Sequence, residues 1–316
     1  MPELPEVTTT VNGLQKVLPG LVISHVWTDL AVKNQKIKQF QKTIKNKSFF
    51  EKFKKEIVGA KVLKVDRKAK NILIHLAPTP SSRDKYTILI HLKMTGHLIV
   101  GKYIFNKKEN KWKPDKNERE ELHDPYNRFI HVVFTLSNGK HLVFCDARKF
   151  GKITVFPTSE IRSETSSLYK LGPEPLETTF NFKKFTERLK LKSEGNIKTV
   201  LMNQEIISGI GNIYSDEMLW LSSIHPESKP KNIPDKQLKI LHQSMKDVLK
   251  SGIKFGGDST SDYRNIDGKK GNFQGKHNVY KRKNERCGKK NCKGVIIRRV
   301  INGRSAHFCD THQKLF

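Results

Sequence analysis

The sequence predicts an α+β protein: an N-terminal β-sandwich behind a single helix, then a helical domain, then a short cysteine-bearing hairpin. Three observations predict it. Residues 21–156 carry repeated strand-like runs, residues 174–252 carry helical periodicity, and three of the four cysteines crowd into the last thirty positions. A chain of 316 residues has room for such an arrangement.

Residues 3–18 place Val7, Val11, Leu14, Gln15 and Leu18 at spacings of three and four and stop at Pro19-Gly20, the pattern of an amphipathic helix with a firm end. Strand-like runs follow at 21–23, 61–65, 72–76 and 86–90. Residues 129–136 and 141–144 flank Ser137-Asn138-Gly139, and Asn-Gly favours a tight primed hairpin turn. The polar, charged stretch 106–120 reads as a mobile loop, and 157–170, with Pro157 and several serines, as part of a linker. Helices are expected over 182–191, 197–203, 212–222 and 235–251, and the glycine-rich 256–278 reads as a long loop. The domains expected are 1–156, 174–278 and 279–316, joined by a linker at 157–173.

Sixty Lys and Arg against 31 Asp and Glu leave a net charge of +29. Such an excess points to a polyanionic partner, with nucleic acid the first candidate. No stretch approaches the ~20 apolar residues needed to span a bilayer. The N-terminus lacks the basic-then-apolar layout of a secretion leader, so a cytoplasmic protein is expected. Cys145, alone in an apolar run, reads as a core residue.

The tail reads Cys287-x4-Cys292-x16-Cys309-x2-His312. Two close pairs separated by a hairpin-sized spacer suit one tetrahedral, structural Zn2+. Gly303 can make the hairpin turn between the pairs. With four protein ligands no position remains for a reactive water, so the metal would hold the segment folded. Lys and Arg crowd around the four ligands, including Arg298, Arg299 and Arg304, a distribution that fits a DNA backbone.

Residues 203–214 join two helical stretches through Gly209 and Gly211. The glycines let backbone N–H groups approach a ligand closely, and Asn212 would cap a helix whose N-terminus attracts phosphate. A plain helix–helix turn fits the same residues.

The chain opens Met1-Pro2-Glu3-Leu4-Pro5-Glu6-Val7. With Met1 trimmed, Pro2 becomes a terminal secondary amine, which can attack an electrophilic carbon and pass directly to an iminium ion. Glu3 could deliver a proton to the opening centre. The same residues also suit a helix start, with Pro in the first turn and Glu3 and Glu6 complementing the dipole.

Taken in order, the start MPELPEV, the segment RKAKNIL, the runs HLKMTGHL and DARKFG, the phrase LGPEP, the turn ISGIGNIYSDE and the cysteine tail resemble the formamidopyrimidine-DNA glycosylase branch of a DNA repair family. The resemblance spans nearly the whole chain. It implies a helix–two-turn–helix motif in the helical domain, a zinc finger in the tail, and DNA in the cleft between the domains. It implies a bifunctional DNA glycosylase and abasic-site lyase that excises oxidised purines (8-oxoguanine, formamidopyrimidines) from damaged double-stranded DNA and cuts the strand by β,δ-elimination. Pro2 resembles the nucleophile, Glu3 the acid, Glu6 a supporting group, and Lys70 the hairpin lysine that contacts phosphate and aids proton transfer. Met94, Arg148 and Phe150 resemble side chains that fill the gap left by an everted nucleotide. Lys198 and Asn212 resemble phosphate ligands, and Arg304 the finger arginine that grips the phosphate flanking the lesion. The 256–278 loop resembles the loop that closes over the flipped base. A monomer of bacterial type, associated with the nucleoid, is implied.

The chemistry of these residue types agrees. A stacked base hides its sugar carbon, so the nucleotide must be flipped. Flexible apolar, cationic and aromatic side chains are suited to filling the vacated stack. The finger departs from the family pattern, which has four cysteines with two residues inside each pair. Two other readings remain: the same chemistry on oxidised pyrimidines, and a non-catalytic nucleic-acid-binding zinc-finger protein.

Overall fold

The computed structural model describes residues 1–79, 83–164, 166 and 168–316. The chain divides into two compact units. The first comprises Met1–Pro2, Glu6–Tyr169 and Gly256–Gly271; the second comprises Glu3–Pro5, Lys170–Phe255 and Asn272–Phe316. Gly256–Gly271, expected with the helical domain, thus groups with the β-rich unit.

The first unit holds helix α1 (Leu4–Val17, from Glu6 onward), strand β1 (Ile23–Thr28), helix α2 (Lys47–Ile57) and strands β2 (Val62–Lys68), β3 (Asn71–Leu76), β4 (Tyr86–His91), β5 (His97–Gly101), β6 (Tyr103–Asn106), β7 (Lys111–Pro114), β8 (Ile130–Leu136), β9 (His141–Cys145) and β10 (Lys152–Pro157). Two antiparallel four-stranded sheets form, ordered β1-β8-β9-β5 and β10-β4-β3-β2. Strand alternation explains the core between them. Ile72, Ile74 and Leu76 of β3 and Ile88 and Ile90 of β4 meet Phe134, Phe144 and Leu98 of the other sheet, with Val7, Val11, Leu14 and Leu18 of α1.

Three expectations need correction here. Helix α2 stands inside the stretch read as β-structure. Its signal was present: Asn46 caps it by accepting from Phe49 N (3.2 Å), and Phe50, Phe53 and Ile57 recur at helical spacing and are buried. The charged 106–120 segment is not a bare loop. β6 and β7 pair as a hairpin, because Trp112 and Phe105 pack (ring centroids 5.3 Å apart) and Tyr103 is buried. The Asn138-Gly139 turn joins β8 to β9 as expected, but Gly139 (φ 76°) has the positive φ and Asn138 does not, so the turn is not primed.

The second unit contains α3 (Phe182–Lys190), α4 (Ile197–Met202), α5 (Asn212–Leu221), α6 (Asp235–Lys254) and the hairpin β11 (Ile296–Ile301) and β12 (Arg304–Cys309). α6 buries the stripe Leu238, Leu241, Met245, Val248 and Leu249 against α5, which is buried from Ile213 to Trp220. The β11–β12 turn is Asn302-Gly303 with both φ positive (46° and 74°), which the right-handed strand twist prefers.

Among the described residues, no helix is long and apolar enough to cross a membrane.

Candidate functional site

In the second unit the site is built on the N-terminus of α5. Gly211, not Asn212, is the N-cap residue, and it offers no side chain for capping. Glu3 does that work instead. Its Oε1 accepts from Ile213 N (2.8 Å) and its Oε2 from Tyr214 N (3.4 Å). The group that takes these N–H donors is therefore the Glu3 carboxyl, 1% exposed. A Cβ on Gly211 would lie 2.4 Å from Glu3 Cδ, and one on Gly209 (φ +90°) 2.7 Å from Leu4 Cδ1. Leu4 N also donates to Gly209 O (3.0 Å). The two glycines thus admit residues 3 and 4 of the chain, a closer and more specific ligand than the phosphate expected from the turn alone.

Behind this helix start Lys198 is completely buried. Its ammonium donates to Asp216 Oδ1 (2.5 Å), Ser215 Oγ (3.2 Å) and Asn212 O (3.4 Å). Asp216 Oδ2 in turn accepts from His307 N (3.0 Å) and lies 3.1 Å from His307 Nδ1. The pair ties α4 and α5 to finger strand β12. Removing one member of such a buried pair typically costs about 3–5 kcal/mol. Asn212 places its Oδ1 in a buried position with no partner, so rotating the amide would present an Nδ2 donor there.

The next residue, Glu217, takes four N–H groups: Asn278 N and Nδ2, Val279 N and Tyr280 N, at 2.8–3.0 Å. It holds the segment that leads into the finger. Sequence reasoning missed Asp216 and Glu217, though two adjacent acids in the apolar helix NIYSDEMLWL were a signal of buried, partnered carboxylates.

Cys287, Cys292, Cys309 and His312 bring their ligand atoms within 4.8 Å of one another. Cys292 and Cys309 Sγ are 3.6 Å apart, and Cys287 Sγ is 3.3 Å from His312 Nδ1. Zn–S bonds of about 2.3 Å would set sulfurs about 3.8 Å apart in a tetrahedron, so the cluster fits that metal. His312 Nε2 lies 3.1 Å from Trp220 O, which orients the ring and leaves Nδ1 for the metal. Backbone N–H groups of Gly294 and Thr311, and Trp220 Nε1, point at the three sulfurs (3.3–3.4 Å). The four-residue spacing of the first pair and the terminal histidine therefore close a compact site. Arg304 is exposed beside the Asn302-Gly303 turn.

In the first unit Pro2 is buried, while Met1 is 39% exposed. Glu6, 1% exposed, accepts at Oε1 from Asp258 N (2.7 Å), and its carbonyl accepts from Tyr263 Oη and Thr10 Oγ1 (both 3.0 Å). Burial raises the Tyr263 phenol's pKa well above its usual value. Arg264, 1% exposed, pairs with Asp124 (3.1 Å) and stacks over Tyr126 (4.6 Å), and Ile266 enters the sandwich core. Much of the glycine-rich loop is thereby anchored within this unit.

Lys70 occupies the expected place in the tight β2–β3 hairpin, after Ala69 (φ 52°), and is 6% exposed. Its charge reaches His91, whose pKa is held down to about 3 by burial first, then by Lys93, Lys70 and Lys152. His91, given no role from sequence, is therefore neutral at physiological pH.

Met94 and Phe150 are 39% and 44% exposed. The Arg148 guanidinium lies over the Phe150 ring (4.6 Å). The structure brings their two loops together through Asp146, which is fully buried. Asp146 accepts from Thr95 Oγ1 and from Gly151 N (2.6 Å), and Arg148 N donates to Thr95 Oγ1 (3.1 Å). Asp146→Asn keeps one acceptor and loses the other. The variant is expected to lose about 1.5–3 kcal/mol of stability in thermal melting. It should also weaken the signal of a fluorescent base placed opposite a lesion analogue. An unchanged signal would separate Asp146 from the display of these three side chains.

Known proteins share this fold. Residues 1–153 match the model described as the formamidopyrimidine-DNA glycosylase N-terminal domain, and residues 171–264 match that family's H2TH domain. Formamidopyrimidine-DNA glycosylase of Pelotomaculum thermopropionicum is 33% identical over the full length of both chains. That of Bacillus subtilis is 34% identical, with 98% of each chain covered. Among solved structures, Lactococcus lactis Fpg bound to DNA containing an abasic site superposes with a TM-score of 0.77 at 28% identity, covering 99% of both chains. A variant of the same enzyme bound to DNA containing Fapy-dG gives 0.78 at 28% identity, covering 99% of this chain and 100% of that one. A protein that keeps the family's fold and sequence along its whole length is one of its members, and this chain belongs to the formamidopyrimidine-DNA glycosylase family.

Proposed function

We propose that this protein excises oxidised purines from double-stranded DNA and then cleaves the strand at the resulting abasic site. The observation that carries the reading is the seating of Glu3, the neighbour of Pro2, on the N-terminal N–H groups of α5 within a full-length family match. Pro2, freed of Met1, attacks the sugar C1′ and expels the base, while Glu3 gives a proton to the ring oxygen. The resulting iminium acidifies the C2′ proton. Loss of the 3′ phosphate and then the 5′ phosphate leaves a one-nucleotide gap. Lys70 assists proton movement beside the lesion. Met94, Arg148 and Phe150 occupy the vacated stack, and Lys198, Asn212 and Arg304 carry or position positive charge toward phosphates. Lys198 acts through Asn212 and the helix start, because its own donors are engaged. Glu6 holds α1 and the 256–271 segment together. Cys287, Cys292, Cys309 and His312 hold one zinc ion, whose role is to keep the finger folded.

The test is cleavage of matched duplexes carrying 8-oxoguanine, an oxidised pyrimidine or no lesion. Cleavage is expected at 8-oxoguanine, with phosphate on both ends of the gap. Lactococcus lactis Fpg has also been seen in complex with DNA containing an oxidised pyrimidine, so slower cutting of that duplex is compatible. A preference for the pyrimidine lesion would move this chain to the pyrimidine-directed reading, and binding without cleavage to the non-catalytic one.

A further inference from the structure

The outer face of the β1-β8-β9-β5 sheet carries a second apolar cluster, with Ile99, Val133 and Val143 beneath Tyr103, Trp27 and Trp112. A cavity of about 720 Å³ opens beside it, and none of Pro2, Glu3, Lys70, Met94, Arg148 or Phe150 lines it. Two of the chain's three tryptophans, Trp27 and Trp112, form its aromatic wall. Their ring centroids are 6.3 Å apart at 65°, and Phe105 lies 5.9 Å from Trp27.

Two lining residues carry a buried polar atom with no partner among the described residues: Trp112 Nε1 and His131 Nε2. The His131 side chain is 9% exposed, and its Nδ1 lies 2.9 Å from both carboxylate oxygens of Asp29. A carboxylate only accepts, so Nδ1 carries a proton, and Nε2 is left without a partner among the described residues. The wall thus carries one indole donor and one unpartnered imidazole nitrogen beside aromatic rings. Buried polar groups ordinarily find partners, so an occupant is the natural source of theirs.

The charge at the cavity is positive. Lys111, Lys113, Lys116 and Arg128 line it against Asp29, Glu109 and Asp124, four cations to three acids, and Asp124 also pairs with Arg264 (3.1 Å). Aromatic rings, unpartnered ring nitrogens and an excess of cations are together the chemistry that recognises a flat heteroaromatic base bearing a phosphate. We infer that this cavity binds a single nucleotide, with the base against Trp27 and Trp112 and the phosphate at Lys111, Lys116 and Arg128. The nucleotide is either free in solution or an unpaired residue of a DNA strand.

Intrinsic tryptophan fluorescence of the full-length, zinc-loaded protein tests this, first alone and then preloaded with a tetrahydrofuran-containing duplex. Deoxynucleoside monophosphates should quench it saturably in both states, while inorganic phosphate at the same concentration should not. Trp112→Ala should weaken binding roughly five- to 150-fold, the range for loss of one base–aromatic stack. The exposed substitution Lys116→Glu leaves the apolar cluster intact and should weaken binding at least about fivefold without moving the melting temperature. A short single-stranded oligonucleotide that binds at least tenfold tighter than the monophosphate, and is weakened by the same variants, identifies the strand as the source. Equal affinity identifies the free nucleotide. No saturable quenching by either ligand, or quenching that both variants leave unchanged, overturns the inference. The readout is binding alone, so it stands apart from whether the protein cleaves damaged DNA.

Discussion

Pro2→Gly is expected to lose most of the borohydride-trapped adduct that the natural protein forms with abasic-site DNA. A prolyl nitrogen goes directly to an iminium, which borohydride reduces to a stable bond. Glycine keeps an amine but frees the backbone dihedral that the pyrrolidine ring fixes. A nucleophile displaced by about 1 Å typically loses on the order of 100-fold in rate. Adduct formation is therefore expected to fall by on the order of 100-fold, measured on denaturing gels over a time course. The starting material must be checked by mass spectrometry for loss of Met1, which stands 39% exposed ahead of a buried Pro2. Protein that keeps Met1 has its Pro2 nitrogen locked in a peptide bond and should form no adduct. Adduct formation by the Met1-bearing form at the natural rate would refute the assignment of Pro2.

Metal removal should have the other large effect. The finger hairpin contributes few buried apolar residues, chiefly Ile296, Ile301, Ala306 and Phe308. Structural zinc in finger peptides supplies about 10–16 kcal/mol of apparent binding free energy at neutral pH, far more than that hairpin can. Chelation is expected to unfold β11 and β12 and to release the Trp220 indole, whose Nε1 donates to Cys287 Sγ (3.3 Å). The checks are one zinc per chain by elemental analysis, a change in Trp220 fluorescence on chelation, and lost affinity for duplex DNA. His312→Cys should retain zinc, since four thiolates suit the ion equally well. His312→Ala should weaken it sharply. A chelated protein with unchanged melting and DNA affinity would show that the cluster is not a zinc site.

The site was legible in sequence wherever chemistry follows from residue type and local spacing. The four side chains that could hold a metal ion are of this kind, because two short pairs and a hairpin-sized spacer leave few other arrangements. Lys70 in its hairpin and the Asn302-Gly303 turn are local features too. Other features needed partners distant in sequence. Glu3 capping α5 spans more than 200 positions, and nothing near either residue announces the contact. Asp146 holding Thr95, 51 positions away, and Glu217 gathering the N–H groups of 278–280, 61–63 positions away, are non-local too. Helix α2 was missed for another reason. Its lysine-rich sequence hides a narrow apolar stripe of Phe50, Phe53 and Ile57 among strand-like neighbours.

Sequence alone determined the β-rich-then-helical order, the two kinds of core and the four Cys and His side chains that could hold a metal ion, because periodicity, turn residues and residue spacing act over a few residues. Tertiary structure alone decided what occupies the N-terminus of α5, what holds Met94, Arg148 and Phe150 at the surface, and that an aromatic cavity lies beside the β6–β7 hairpin. These depend on hydrogen bonds and packing between segments far apart along the chain, and such contacts exist only once the whole fold has closed around them.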